Sequence, residues 1–284
     1  MTAIEKIDKI LSTRQLLYTL LIIAIILPLI YPVGLPIGIS SRTKAVYDYI
    51  QDDSKVPPGS HVLIEIYYEV AARAELEPQV IALMKQLFEK NCKLVFLSTI
   101  TYGPLAFQFL QASAPDVFEG KTYGEDYVFL GYIAGQESAV ASLAKSITGT
   151  VATDNYGNPT SSLPLIVEAN DASAYALVIV ASSGTDTFGW YVRQWYTPYH
   201  TPLLFGALSV IAPSIEPYVN AGQAVGMLTG QRSAAEYELL VGRKGLGIAS
   251  MDAQSFAHGL ILVFIIVGNI VFAYTKLSKR GEKK

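Results

Sequence analysis

Two long runs without a single acidic or basic residue set the limits on this chain. Residues 16–33 read LLYTLLIIAIILPLIYPV, and residues 256–275 read FAHGLILVFIIVGNIVFAYT, where His258 is the one side chain able to take up positive charge. A bilayer core of about 30 Å is crossed by roughly 20 apolar residues in a helix. Both runs are therefore expected as transmembrane helices, one at 16–33 and one at 256–275. The first could instead be a secretory leader cut after Gly38 or Ser40. The mixed charge ahead of it and the lack of an Ala-x-Ala site argue against removal.

Charge placement gives an orientation. Lys6, Lys9 and Arg14 against Glu5 and Asp8 leave the stretch 1–15 at +1, and the tail 276–284 stands at +4. The segment 34–255 holds the other 13 basic and 21 acidic residues, a net of −8 hidden inside a whole-chain charge of −3. Lys and Arg near span ends mark the cytoplasmic side. The expectation is an integral membrane protein with a cytoplasmic N-terminus (1–15), a basic cytoplasmic tail (276–284) and an extracytoplasmic domain (34–255). The lipid bilayer is thus its first partner. An acidic domain has no electrostatic footprint for nucleic acid.

Only 16% of the chain is charged, against about 25% in a soluble domain, and the two spans do not account for the whole deficit. Short aliphatic runs recur at 62–67 (VLIEIY), 94–99, 128–133, 177–182, 203–208 and 224–228. Continuous apolar runs of this length read as strands buried on both faces of a parallel sheet. Helical patterns alternate with them at 78–91, 104–114, 136–147, 187–196, 213–221 and 233–241, and a further helix at 41–50 leads in through Val56-Pro57-Pro58-Gly59-Ser60. Pro78, Pro104 and Pro213 stand where a first helical turn tolerates proline. The alternation predicts one α/β domain: a doubly wound, mainly parallel sheet of about six strands in a Rossmann-like or flavodoxin-like layer architecture. The segments 62–114 and 177–221 echo one another in strand spacing. The stretch 148–174, with its Asn155-Tyr156-Gly157-Asn158-Pro159 turn signal, is expected as a loop excursion between the halves.

In such sheets ligands sit beyond the carboxyl ends of the strands. Those ends supply Glu69, Thr99, Tyr102, Gln136, Glu137, Ser182, Ser183 and Asp186, a set of hydroxyls, amides and carboxylates suited to a small polar solute. The same residue types also cap helices, and Asp186 before a helix suits that role. Neither G-x-G-x-x-G nor G-x-x-x-x-G-K-[ST] occurs, so no nucleotide or other cofactor is expected. Outside the spans the only histidines are His61 and His200, and Cys92 is the only cysteine, which leaves no metal-ligand spacing and no histidine-based triad. Glu65, inside an apolar strand, reads either as a pKa-shifted acid or as a paired residue, buried or on an edge strand.

The run 188–199 carries both tryptophans. Phe188, Val192 and Trp195 are expected to face the core, and Trp190, Arg193, Tyr196 and Tyr199 to form an exposed partner surface, since aromatic and Arg side chains are enriched in interfaces. In the second span Asn269 is costly in hydrocarbon and suits a hydrogen bond to another helix. With about 15 and 9 residues on the cytoplasmic side, the work falls to the outer domain. Three functions follow. The first is a non-catalytic scaffold or accessory subunit bound to other membrane or envelope proteins, or to further copies of itself. The second is a tethered binding domain for a polar solute. The third is a carboxylate-dependent hydrolase or transferase.

Overall fold

Each of the six aliphatic runs forms a strand, within two residues of its expected bounds: β1 (His61–Tyr67), β2 (Lys93–Ser98), β3 (Tyr127–Tyr132), β4 (Tyr175–Ser182), β5 (Leu203–Ala207) and β6 (Gly226–Thr229). A computed structural model describes residues 13–281. The strands make one parallel sheet in the order β3-β2-β1-β4-β5-β6. This is the doubly wound order in which two βαβαβ halves meet at β1 and β4. The sequence echo is these two halves.

Both faces are covered. On one face lie α2 (Ser41–Gln51), α3 (Arg73–Glu89), α4 (Gly103–Ser113) and α9 (Gly230–Leu240), around a core with Ile64, Ile66, Phe96 and Leu228. On the other lie α5 (Glu137–Lys145), α6 (Pro164–Glu168), α7 (Asp186–Tyr191) and α8 (Ala212–Asn220), over Leu63, Val95, Val178 and Phe205. Alternate residues of each strand supply the two cores, which is why the strands read as unbroken apolar runs. Helix α3 departs from its expected start at Pro78. It starts at Arg73, which puts Pro78 inside the helix rather than in its first turn, and twelve of its residues are buried. The inward Gln86 is matched at both ends of its amide: its Nε2 donates to Tyr47 O at 3.1 Å, and the Tyr237 hydroxyl donates to its Oε1. The stretch 148–174 is an excursion held on the second core by Leu163, Leu165 and Ile166, and Asp154 closes its turn by accepting from the Tyr156 and Asn158 amides at 2.9 and 2.8 Å.

This sheet unit runs from Ile37 to Gly247; the second compact unit combines the segment ending at Pro36 with the segment from Ile248 on. Here one expectation is corrected. The N-terminal apolar helix α1 is Arg14–Ile30, 17 residues with Pro28 inside it. That is about 26 Å of helix, short of a bilayer core, and a transmembrane helix at 16–33 is not supported, nor is the two-pass topology that depends on it. The C-terminal helix α10 (Leu246–Gly281) is long and apolar enough to cross a membrane, and only 6% of its most apolar window is buried. Between residues 256 and 276 of α10 only 257, 260, 264, 267, 268, 271 and 275 are not exposed, a single stripe along the helix. In the same unit the buried Asp252 carboxylate accepts the amides of Gly34 and Leu35 at 2.8 and 2.9 Å. Lys6, Lys9, Glu5, Asp8, Glu282, Lys283 and Lys284 of the charge argument lie outside the described residues.

Candidate functional site

The first place to look in a sheet of this order is the crevice where β1 and β4 lie side by side, because the chain leaves them toward opposite faces. Tyr67 and Ser182, the last residues of the two strands, are register partners. The chain fills the crevice with its own groups. The Ser183 amide donates to Tyr67 O at 2.9 Å, and the Ser183 hydroxyl reaches the same oxygen at 3.3 Å. Ser182 Oγ accepts the Gly184 amide at 3.0 Å. The Tyr67 ring meets the Trp190 indole edge-on at 5.9 Å between centroids. The packing at Gly184 is close: a Cβ at that position would stand 3.3 Å from the Tyr67 ring.

One layer down sits Glu65, in the centre of the sheet rather than on an edge strand, and completely buried. Its carboxylate joins the two halves of the fold. Oε1 accepts the Thr99 amide at 2.8 Å and the Thr99 hydroxyl at 3.0 Å, and Oε2 accepts the Tyr191 hydroxyl at 2.7 Å. Burial pushes its pKa up to about 7, against the downward pull of those three donors. Burial, with Glu65 alongside, also drives the Tyr191 hydroxyl well above the ordinary tyrosine range.

A dinucleotide does not fit this crevice. The chain after β1 runs Tyr68-Glu69-Val70-Ala71-Ala72 into α3, with no glycine to let a pyrophosphate approach the backbone. Glu69, exposed in that loop, adds a negative charge ahead of α3.

The expected ligand residues do not converge. Thr99 is buried and serves Glu65; Ser182 folds back on Gly184 in its own loop, and Ser183 ties that loop to β1 at Tyr67; Tyr102 is half-buried against the first core. Glu69 and Gln136 are exposed, Gln136 with a φ of +51° that is costly for a residue with a side chain. Glu137 is held by Arg193 through two bonds of 2.7 Å and by Gln194 at 3.0 Å, and Arg193 keeps its carboxyl low, at about 2. The pair stands in solvent, where such bridges contribute at most about 1 kcal/mol. Asp186 is an exposed first-turn residue of α7 and caps nothing, which corrects its expected capping role.

The expected partner surface changes in the same way. Trp190 is 8% exposed and packs on Tyr67, so it is corrected to the interior, with Trp195, Phe188 and Val192 buried as expected. Arg193 and Tyr199 are exposed and Tyr196 is half-buried. Asn269 is exposed on α10.

Two shallow clefts open at this end of the sheet. One, of about 320 Å³, is lined by Thr185, Asp186, Gly189, Trp190, Arg193, Ser214 and Tyr218. The other, of about 470 Å³, is lined by Tyr132, Ser138, Ser142, Thr150 and Thr153 among others. Glu65 lines neither. Among the described residues no three His, Cys, Asp or Glu side chains are grouped to hold a metal ion. The Tyr67–Trp190 closure and the Tyr191–Glu65 bond had no signature in the sequence, because each joins side chains far apart along the chain. Set against known proteins, the chain matches no family model, no curated protein and no solved structure.

Proposed function

We propose that this protein is a membrane-anchored α/β module that serves as a non-catalytic scaffold or accessory subunit in a membrane or envelope complex. The observation that carries the reading is the closed crevice: the position where this strand order offers a ligand site is filled by Tyr67, Trp190 and the Ser183–Tyr67 bond. Two of the carboxylates that acid–base chemistry would draw on are spent on the fold, Glu65 inside it and Glu137 on Arg193. What the domain still presents outward is a surface that includes Arg193, Tyr199 and the 80%-exposed Val210. The test is purification of the full chain from its membrane in mild detergent. The reading expects another membrane or envelope protein at stoichiometric yield, and recovery reduced several-fold by the pair Arg193→Ala and Tyr199→Ala. A clean preparation with no second protein would overturn it.

A second reading is favoured by the 320 Å³ cleft, whose lining includes Asp186 and Arg193 with Ser214 and Tyr218. Opposite charges in one small cleft suit a zwitterionic solute. Saturable binding of such a solute, lost in Asp186→Asn, would select this reading over the scaffold.

The anchoring is part of the proposal. Helix α10, with its long apolar run, crosses the bilayer. Its basic tail, 276–284, then faces the cytoplasm and the sheet domain lies outside. Cys92 makes this testable, because it is 2% exposed and burial raises its thiol pKa, leaving it slow toward maleimides. On intact cells a membrane-impermeant maleimide is expected to label Val210→Cys and to leave both the wild type and Lys284→Cys unlabelled. Labelling at position 284 without labelling at 210 would invert the orientation.

A further inference from the structure

The exposed side of α10 is not uniform. Residues 257, 260, 264, 267, 268, 271 and 275 form its less exposed stripe, with Val271 alone buried. Two positions earlier or later along a helix is about 200° around it. Among the residues two positions from that stripe are Ser255, Gly259, Leu262, Ile266, Asn269 and Ala273, and all six are exposed. They alternate at spacings of four and three, the repeat by which one helix seats along another. Three of them are small, which lets backbones approach closely in a membrane. Asn269 is the one amide side chain between 256 and 275.

We propose that this face of α10 is the dimerisation surface of the protein, and that its occupant is the same helix of a second copy, parallel to the first, with the two Asn269 side chains hydrogen-bonded to each other. The inference rests on the membrane reading above. The choice of occupant follows from the chemistry of the amide. It carries both donor and acceptor, and in a parallel pair about a two-fold axis it meets its own copy at the same depth, so the polar group is satisfied without a second kind of residue. A single Asn in an otherwise apolar seam fixes register and partner number in this way. Escape to the headgroups does not serve Asn269 instead. It lies six residues inside the run that ends at Thr275, about 9 Å of helix, beyond the reach of so short a side chain. At position 276, the next step of the repeat, Lys276 holds its ammonium over the Phe272 ring, 5.7 Å from the centroid, and ends the apolar seam.

The test uses the full chain in lipid vesicles, with the dimer fraction followed by single-molecule photobleaching as protein is diluted in lipid. Wild type is expected to dimerise, Asn269→Leu to weaken the association constant about 3- to 30-fold, and Asn269→Gln to retain most of it. Ile266→Cys is expected to form a disulfide-linked dimer under mild oxidation, and Ile261→Cys, about 140° around the helix, is not. A wild type that is monomeric at every dilution overturns the proposal, as does a dimer indifferent to Asn269→Leu or one that cross-links through position 261 rather than 266. The membrane reading fails separately, if alkaline carbonate releases the chain from membranes.

Discussion

Replacing Glu65 with Leu is expected to destabilise the sheet unit by about 3 kcal/mol or more, although it puts an apolar residue into an apolar core. Three donors, the Thr99 amide, the Thr99 hydroxyl and the Tyr191 hydroxyl, end on this carboxylate. Each buried donor left without an acceptor costs about 1–3 kcal/mol. Leucine recovers only part of this through its own burial. Glu65→Gln keeps an acceptor for Thr99, and Tyr191 can turn its oxygen to the new amide, so that variant is expected near wild type in mildly acid solution. The two carboxamide and carboxyl proteins should then part as pH rises. A folded-state pKa near 7 against an ordinary value of 4.5 means that the native protein holds a proton which the unfolded chain has released. Its contribution is full below about pH 4.5 and is lost as pH climbs through 7, about 3 kcal/mol across the window at roughly 1.4 kcal/mol per unit. Thermal melts in detergent between pH 5 and 8 should show the wild type losing stability relative to Glu65→Gln. A difference between the two that does not change with pH would mean that Glu65 is ionised throughout.

The part of the fold legible in the sequence is the part carried by burial on two faces. A strand such as Leu177 to Ser182 lies between two cores, so every residue is apolar or small and the run announces itself. The order of the strands is set by which edges pair, and no run carries that information. Alternation carried the six strands; the placement of β1 beside β4 had to be seen. The helix after β4 shows a different limit. A period of 3.6 residues assigns Phe188, Val192 and Trp195 inward and Trp190 outward. The α-helical part ends at Tyr191, and Val192–Tyr196 is a π-helical turn. Its wider turn resets the phase, which lets both tryptophans face the interior. The apolar run at 16–33 fails as a span for a local reason: the helix stops at Ile30, ahead of Pro32 and Pro36, so composition overstated its length. The site was legible as a location, the strand ends, and not as an arrangement. Glu137 is an available carboxylate in the sequence and a spent one in the structure, because Arg193 approaches it from another element.

Trp190→Ala is the second large effect, and it bears directly on whether the crevice is closed by design of the packing. The indole is 8% exposed and lies edge-on to Tyr67 at 5.9 Å. Truncating a buried Trp to Ala removes about 3–5 kcal/mol, of which the ring–ring contact is roughly 0.5–1.5. For a unit of this size that is a fall in melting temperature on the order of 10 °C. The void is not sealed, because Trp190 also lines the 320 Å³ cleft beside Asp186 and Tyr218, so a small molecule has a way in. An apolar cavity left by such a truncation accepts an aromatic guest of matching shape. Indole at millimolar concentration should therefore raise the melting temperature of Trp190→Ala by a few degrees, through preferential binding to the folded state, and leave the wild type unmoved. Trp190→Phe should fall between the two, retaining a ring against Tyr67 and leaving less room for the guest. If the wild type responds to indole as strongly as Trp190→Ala does, the crevice is open without the mutation. The solute-binding reading then takes the place of the scaffold, since a crevice that admits a planar ring unaided is a binding site.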